Sequence, residues 1–326
     1  MVMLKAGTEL TTADKMEHLL IRLGYKRGEH KVEPGLYSLG DPTDMSPVFV
    51  TANYKLSFDA LRTGLKGMDA YILVLDTKGI NVWCAAGKGT FGTEELVARI
   101  SSSRLEEIVR HRELILPQLG APGIAAHEVK RRTGFNVIYG PVRASDIKTF
   151  MEGGKKADEK MRTVTFPMKE RLVLIPVELK NFFIYALAFC ILGYLTAGPF
   201  GLMVVLSIYL GGLVLFPILF PYLPTKDYST KGMFVGGLIS IPLIAVALCK
   251  WKGIDTIDLV AYEISIVLYS LAFTGYLGLN WTGATPYPSR SSVRREIFRY
   301  IPVMALFAIV ATVLTLLAAL FRSGGW

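Results

Sequence analysis

The chain has 326 residues, enough for one soluble domain plus a membrane unit or for two soluble domains. Its net charge of +9 raises nucleic acid as a partner, but many of the basic residues border long apolar runs: Lys169, Arg171, Lys180, Lys226, Lys231, Arg290, Arg294, Arg295 and Arg299. Cations so placed read as topology signals and anionic-lipid contacts, no zinc-finger or RNA-binding motif competes with them, and nucleic acid is excluded.

Up to about Arg171 charges recur every few residues, and short apolar runs alternate with amphipathic stretches. That alternation predicts an α/β domain with a largely parallel sheet. The start, MVMLKAGTELTTADK, has no apolar core of signal-peptide length, so this domain is expected on the cytoplasmic side. Pro47 to Asn53 reads as a buried strand, and Ser57 as the cap of a helix continuing through Leu65. Ala70 to Asp76 is the clearest strand. Thr93, followed by two glutamates, opens a helix to about Arg99. Two strand and helix pairs follow, Glu113 to Leu116 with Ala125 to Arg132 and Phe135 to Tyr139 with Ser145 to Glu152, and then a charged linker from Met151 to Met168. Ligands of open α/β sheets gather at the carboxyl ends of strands. The ends here, Thr51-Ala52-Asn53, Asp76-Thr77-Lys78, Gln118-Leu119-Gly120 and Gly140 to Ala144, are mostly small or polar, as a pocket for a large polar ligand requires.

From Asn181 onward five segments approach the length needed to cross a bilayer. They are Asn181 to Thr196 (with Val177 and Leu179 extending it), Phe200 to Phe220, Met233 to Cys249, Leu259 to Leu279 and Ile301 to Phe321. Only Ala197-Gly198-Pro199 links the first two. The basic residues collect before the first span and in the Pro221 to Lys231 and Asn280 to Tyr300 links, which places the soluble domain, residues 1 to 165, inside and Trp326 outside. Residues 166 to 326 are then the membrane domain. Glu263 is the one acid within a span, either a functional carboxylate or one that reaches the interface. The Leu279 to Arg290 loop is richer in polar and turn-forming residues than a connector needs, and reads as a docking loop or as a plain loop before a basic anchor.

Three cysteines, Cys84, Cys190 and Cys249, are too few and too scattered for a disulfide framework. Cys190 and Cys249 fall in or at the end of apolar runs and read as small buried hydrophobes. Cys84 stands apart in Thr77-Lys78-Gly79-Ile80-Asn81-Val82-Trp83-Cys84-Ala85-Ala86-Gly87-Lys88-Gly89-Thr90-Phe91-Gly92-Thr93. Small residues after the cysteine leave room for a flat ligand against the backbone, and Lys88 favours the thiolate. By composition alone such a cysteine is structural, a nucleophile or a metal ligand, and a single thiolate cannot by itself hold a zinc or iron-sulfur site.

Asn81 to Lys88 resembles the signature of the HgcA family, the corrinoid proteins of the mercury-methylating pair. VTANYKLSFDALR, LPQLGAPGIAAH and YGPVRASD are also similar to that family, which is related to the large subunit of the corrinoid iron-sulfur protein of the acetyl-CoA pathway. The likeness runs from about Pro34 to Asp146 and resumes in the helical tail. It implies an α/β Rossmann-like corrinoid-binding domain followed by an all-α transmembrane domain of five helices, in a multi-pass protein of the cell inner membrane. It further implies a cobalamin-type corrinoid whose cobalt takes Cys84 as lower axial ligand, with Asn81, Trp83, Ala85, Gly87 and Lys88 around it. Thr51, Ser57, Gly120 and Ala144 are expected to meet the corrinoid tail. None of His18, His30, His111 or His127 lies in an Asp-x-His-x-x-Gly motif that would compete for the lower position. The implied activity is methyl transfer to Hg(II) with cobalt cycling through Co(I) and methyl-Co(III), fed by a methyl-folate type donor. The chain has no cysteine set for an iron-sulfur cluster, and the implied electron donor is a ferredoxin-like protein with two [4Fe-4S] clusters. A membrane-anchored corrinoid methyl carrier of one-carbon metabolism is the alternative.

Overall fold

The computed structural model describes residues 3–250, 256–285 and 287–323. The chain divides into two compact units, Met1–Thr165 and Phe166–Trp326. Pro286, in the Leu279 to Arg290 loop, and Trp326, which entered the sidedness reading, lie outside the described residues.

In the first unit, β1 (Leu4–Ala6) leads into α1 (Thr12–Arg22), which Thr11 and Asp14 open with a reciprocal capping box. β2 (Gly35–Leu39), β3 (Val48–Ala52), α2 (Lys55–Gly64) and β4 (Ala70–Leu75) follow. Then come α3 (Val82–Lys88), α4 (Thr93–Ser102), α5 (Leu105–Ile108), β5 (Glu113–Leu116), a 3-10 segment over Gln118–Gly123, α6 (Ala126–Thr133), β6 (Asn136–Tyr139), α7 (Ile147–Glu152) and α8 (Glu159–Arg162). The six strands form one sheet in the order β1-β2-β4-β3-β5-β6. The sheet is mixed: β2 and β4 run antiparallel and every other pair is parallel.

Every residue of β3 and β4 is buried. A strand covered on both faces must be apolar throughout, which is why these runs are legible as strands. Val48, Val50 and Ala52 face α3, α4 and α6 through Ala85, Ala86, Leu96 and Val129. Phe49, one residue out of phase, faces α2 and α7 through Phe58, Leu61 and Phe150. The helix after β3 thus covers one face and the helix after β5 the other. The carboxyl ends of β3 and β5 therefore flank the crevice where the connections part, which is the ligand position of open α/β sheets.

Three expectations change here. The helix after β3 starts at Lys55 with Tyr54 at the N-cap, so Ser57 sits inside the first turn and caps nothing. The Met151 to Met168 stretch is not a free linker: Ala157 and Met161 pack on the core, and the Val142 amide donates to the Met161 carbonyl at 2.8 Å. Finally, β1 and β2 extend the sheet beyond the expected strands.

In the second unit, α9 (Met168–Leu172) precedes α10 (Ile175–Leu210), a π-helical turn over Gly211–Leu215, α11 (Phe216–Leu219), α12 (Tyr228–Lys250), α13 (Thr256–Asn280) and α14 (Arg290–Ser323). Among the described residues four helical stretches are long and apolar enough to cross a membrane, where five were expected. The discrepancy lies in α10, which carries the first two expected spans across non-helical backbone at Ala197 (φ −135°) and Gly198 (φ 61°). The chain doubles back there, since the Tyr209 hydroxyl donates to the Leu179 carbonyl. Those residues would be about 45 Å apart in a continuous helix. A Cβ on Gly201 would lie 2.0 Å from the Gly193 carbonyl oxygen, so only glycine lets the two arms approach this closely. Likewise a Cβ on Gly232 of α12 would lie 2.2 Å from the Thr274 carbonyl oxygen of α13.

The Asn280 to Ser289 loop is folded into its own unit. Trp281 is 1% exposed and donates to the Gly212 carbonyl at 3.1 Å, and Asn280 donates to Glu178 at 3.1 Å. Tyr228 and Thr285 hydroxyls meet at 2.6 Å. Glu263, by contrast, keeps a buried carboxylate oxygen without a hydrogen-bond partner among the described residues.

Candidate functional site

The cysteine-bearing segment begins where β4 ends. Asn53, 1% exposed at the end of β3, holds it with one side chain. Its carbonyl oxygen accepts from the backbone amides of Thr77 and Gly79, both at 3.1 Å, and lies 2.9 Å from the Thr77 hydroxyl. Its amide nitrogen donates to Asp76 at 3.1 Å. The Lys78 ammonium donates to the other Asp76 oxygen at 2.6 Å, and that bond holds the Asp76 carboxyl below the usual carboxylate range. Gly79 then turns with φ 70°, where a Cβ would lie 2.2 Å from the Gly28 carbonyl oxygen. Only glycine fits that turn.

The turn delivers Asn81 to the N-cap of α3, where its side-chain oxygen accepts the Cys84 amide at 2.9 Å. Cys84 therefore sits in the first turn of a seven-residue helix that Gly89 ends with φ 83°. The sequence reading had no helix here. Val82, Ala85 and Ala86 are buried against the sheet, while Trp83, Gly87 and Lys88 are exposed and Cys84 is half-buried. At about 100° per residue, Trp83, Gly87, Cys84 and Lys88 share one side of the helix. Gly87 leaves open space where a side chain would stand. Cys84 is in no disulfide, so the face combines a thiol, an indole, a bare backbone patch and an ammonium.

The 3-10 segment after β5 packs alongside. A Cβ on Gly123 would lie 3.1 Å from the Ala86 Cα, and one on Gly120 would lie 2.5 Å from the Phe91 ring. Gly120 is thus a packing residue, buried under Phe91. Gln118, the first residue of this segment, carries a buried side-chain oxygen with no hydrogen-bond partner among the described residues. Leaving an amide oxygen unsatisfied costs about 1–3 kcal/mol, and the carboxyl end of β5 is where a ligand donor would relieve it.

The structure therefore brings Asn81, Trp83, Cys84, Gly87 and Lys88 together and turns Ala85 into the core. Thr51, Ser57 and Ala144 lie on the α2 side of the sheet. Thr51 is buried within β3, and the Ala144 carbonyl oxygen would lie 2.5 Å from a Cβ on Gly64 of α2. Asn53 and Gln118 were visible only as polar residues at strand ends. Nothing in their spacing distinguished them. Among the described residues no group of three or more His, Cys, Asp or Glu could hold a bare metal ion. All four histidines have other engagements: His18 with Asp59, His30 with Glu17, His111 with the Ser46 carbonyl and His127 with Glu128.

The first unit is an α/β domain of the open-sheet class that carries a half-buried thiol, Cys84, on the helix after β4. Residues 25–151 match the family model of the CO dehydrogenase/acetyl-CoA synthase delta subunit. The chain is 34% identical over 156 residues to the acetyl-CoA decarbonylase/synthase complex subunit gamma of Methanothermobacter thermautotrophicus, covering 46% of this chain and 33% of that protein. To the Methanopyrus kandleri subunit it is 34% identical over 128 residues, covering 39% and 27%. To the corrinoid/iron-sulfur protein large subunit of Moorella thermoacetica it is 30% identical over 154 residues, covering 44% and 34%. The chain thus spans about a quarter to a third of the length of these relatives, and the match to the family model lies within the first unit.

Proposed function

We propose that the first unit binds a cobalamin-type corrinoid with Cys84 sulfur as the lower cobalt ligand, and that the protein transfers a methyl group from this cofactor to Hg(II). The observation that carries this reading is the placement of Cys84. It is a free thiol on the open face of α3, next to the β3 and β5 strand ends, in the region similar to a corrinoid protein.

The residues present fit such a group. Gly87 and Trp83 offer a flat landing face, Lys88 lies on the same side as the sulfur, and the orphaned Gln118 oxygen can accept from an amide of the corrin periphery. When bound, the corrinoid supplies a nucleophilic cobalt centre that accepts and releases methyl. Asn81 and Asn53 fix the segment that carries the cysteine, and Cys84 as a thiolate would hold the cobalt and supply electron density to it. A donor of methyl-folate type would load the cofactor. A ferredoxin-like partner with two [4Fe-4S] clusters would restore its reduced state.

The second unit is proposed to cross the inner membrane five times, counting both arms of α10. The first unit is then cytoplasmic and the C-terminus outside. Arg171 and Lys231 lie at the end of the bundle that also holds the Trp281 cluster, while Lys250 lies over Phe200 at the opposite end. That asymmetry supports the orientation.

The names of the relatives favour a second reading, a membrane-anchored methyl carrier of one-carbon metabolism. Purified protein loaded with methylcobalamin and given Hg(II) decides. Methylmercury should form, and Cys84→Ala should reduce it at least about a hundredfold while changing the visible and EPR spectra of the bound cofactor. Unchanged spectra in that variant would remove Cys84 as a ligand. A native spectrum with no methylmercury would favour the carrier.

A further inference from the structure

Helix α1 is mounted with its acidic side inward. Asp14 is bound by Lys55 at 2.6 Å and by Arg62 at 2.8 Å, Glu17 by His30 at 2.9 Å, and His18 meets Asp59 at 2.7 Å. Asp59 itself is fully buried between His18, Lys55 and Arg62. Soluble domains ordinarily pack the apolar stripe of a surface helix and expose its charges. Here the only fully buried apolar residue of the helix is Ile21.

The outward side is correspondingly apolar and cationic. Met16, Leu19 and Leu23 recur at i, i+3 and i+7 and are 56%, 50% and 44% exposed, with Tyr25 just beyond at 52%. Lys15 and Arg22 border this stripe, and Lys26 and Arg27 follow it. On the helix itself the exposed charges, Lys15 and Arg22, are both positive, because Asp14 and Glu17 are turned into the network, while just beyond it the exposed Glu29 pairs with Lys26 at 3.3 Å. An apolar stripe edged with Lys and Arg is the pattern of a helix that lies in a membrane interface. The helix also precedes the region that matches the family model, which begins at residue 25.

We propose that the exposed face of α1 docks on the anionic surface of the bilayer, with Met16, Leu19 and Leu23 in the headgroup layer and Lys15 and Arg22 on lipid phosphates. The proposal rests on the membrane reading of the second unit. The occupant is lipid rather than protein because the stripe is narrow, flanked by cations, and carried by a chain with helices of bilayer-spanning length.

The test uses the full chain in vesicles of phosphatidylcholine alone or mixed with phosphatidylglycerol. Leu19→Trp reports contact through quenching by brominated lipid, and Met45→Trp, an exposed site elsewhere on the same unit, is the control. Quenching of Leu19→Trp, but not of Met45→Trp, is expected in the anionic vesicles, weakening about fivefold per charge on Lys15→Glu and Arg22→Glu. Three results would overturn the proposal: no quenching of Leu19→Trp, equal quenching in both lipids, or shielding of Leu19→Trp from iodide in detergent, which would assign the face to a protein contact. A failure of the membrane reading shows separately, as a chain that alkaline carbonate strips from the vesicles.

Discussion

The two units bury charge in opposite ways. In the first, Asp59 is enclosed by side chains of opposite sign, His18, Lys55 and Arg62, and Asp14 shares two of them. In the second, buried cations are held by backbone. Arg171 donates to the Pro217 and Ile218 carbonyls at 2.5 and 3.0 Å, and Lys231 to the Phe220 and Leu223 carbonyls at 3.0 and 2.8 Å. Those carbonyls lie at the carboxyl end of the returning arm, where Pro217 and Pro221 cannot supply the amides that would continue the helix. The physical difference is what each cation replaces. A network of ions holds α1 and α2 in register, whereas Arg171 and Lys231 satisfy acceptors that an apolar surrounding would otherwise leave bare.

That contrast predicts unequal costs. Asp59→Ala should be the most damaging, about 3–5 kcal/mol, because it removes the fully buried carboxylate that His18, Lys55 and Arg62 share and leaves Asp14 to balance both cations. Calorimetry of the full chain in detergent should show the first unit unfolding at a markedly lower temperature. Lys231→Met should cost less, about 1–2 kcal/mol, since two carbonyls lose a donor but a desolvated charge is removed with it. A larger loss for Lys231→Met than for Asp59→Ala would reverse the comparison.

The smallest effect should come from acid. Burial alone would raise the Asp14 carboxyl, but hydrogen bonds from Lys55, from Thr11 and from Arg62 outweigh it and hold the group well below the usual carboxylate range. A depressed carboxylate stabilises the fold above its unfolded value and loses that contribution as pH falls toward its folded one. The protection of the α1 amides, measured against their intrinsic exchange rates, should therefore be flat at neutral pH and fall below about pH 4. Loss of protection already at neutral pH would show that Asp14 does not anchor the helix.

Of the fold, the parts legible in advance were those with a strong local signal. β3 and β4 are apolar runs because both their faces are covered, and the long apolar helices need no neighbour to be recognised. β1 has three residues, and β2, Gly35-Leu36-Tyr37-Ser38-Leu39, begins with glycine and has little alternation, so neither announced its place in the sheet. Helix α3 was hidden for a related reason. Val82-Trp83-Cys84-Ala85-Ala86-Gly87-Lys88 has weak helix propensity and forms because Asn81 caps it and Ala85 and Ala86 pack on the sheet. The first two expected spans were separated correctly at Ala197-Gly198-Pro199, yet only the close approach of Gly193 to Gly201 shows that the chain returns along itself.

Cys84 as the cysteine of interest, the α/β character of the first half and the apolar helices of the second were set by local composition and motif. Short-range chemistry sufficed, because glycines, caps and uninterrupted apolar runs act on their immediate neighbours. The tertiary structure alone decided that Cys84 rides on the open side of a helix, that Asn53 reaches across from β3 to hold the preceding turn, and that Gln118 is left with an idle acceptor. It also decided that α1 turns its acids inward. Each of these depends on residues distant in the chain competing for the same buried donors and acceptors, and such competition is settled only when the chain is folded.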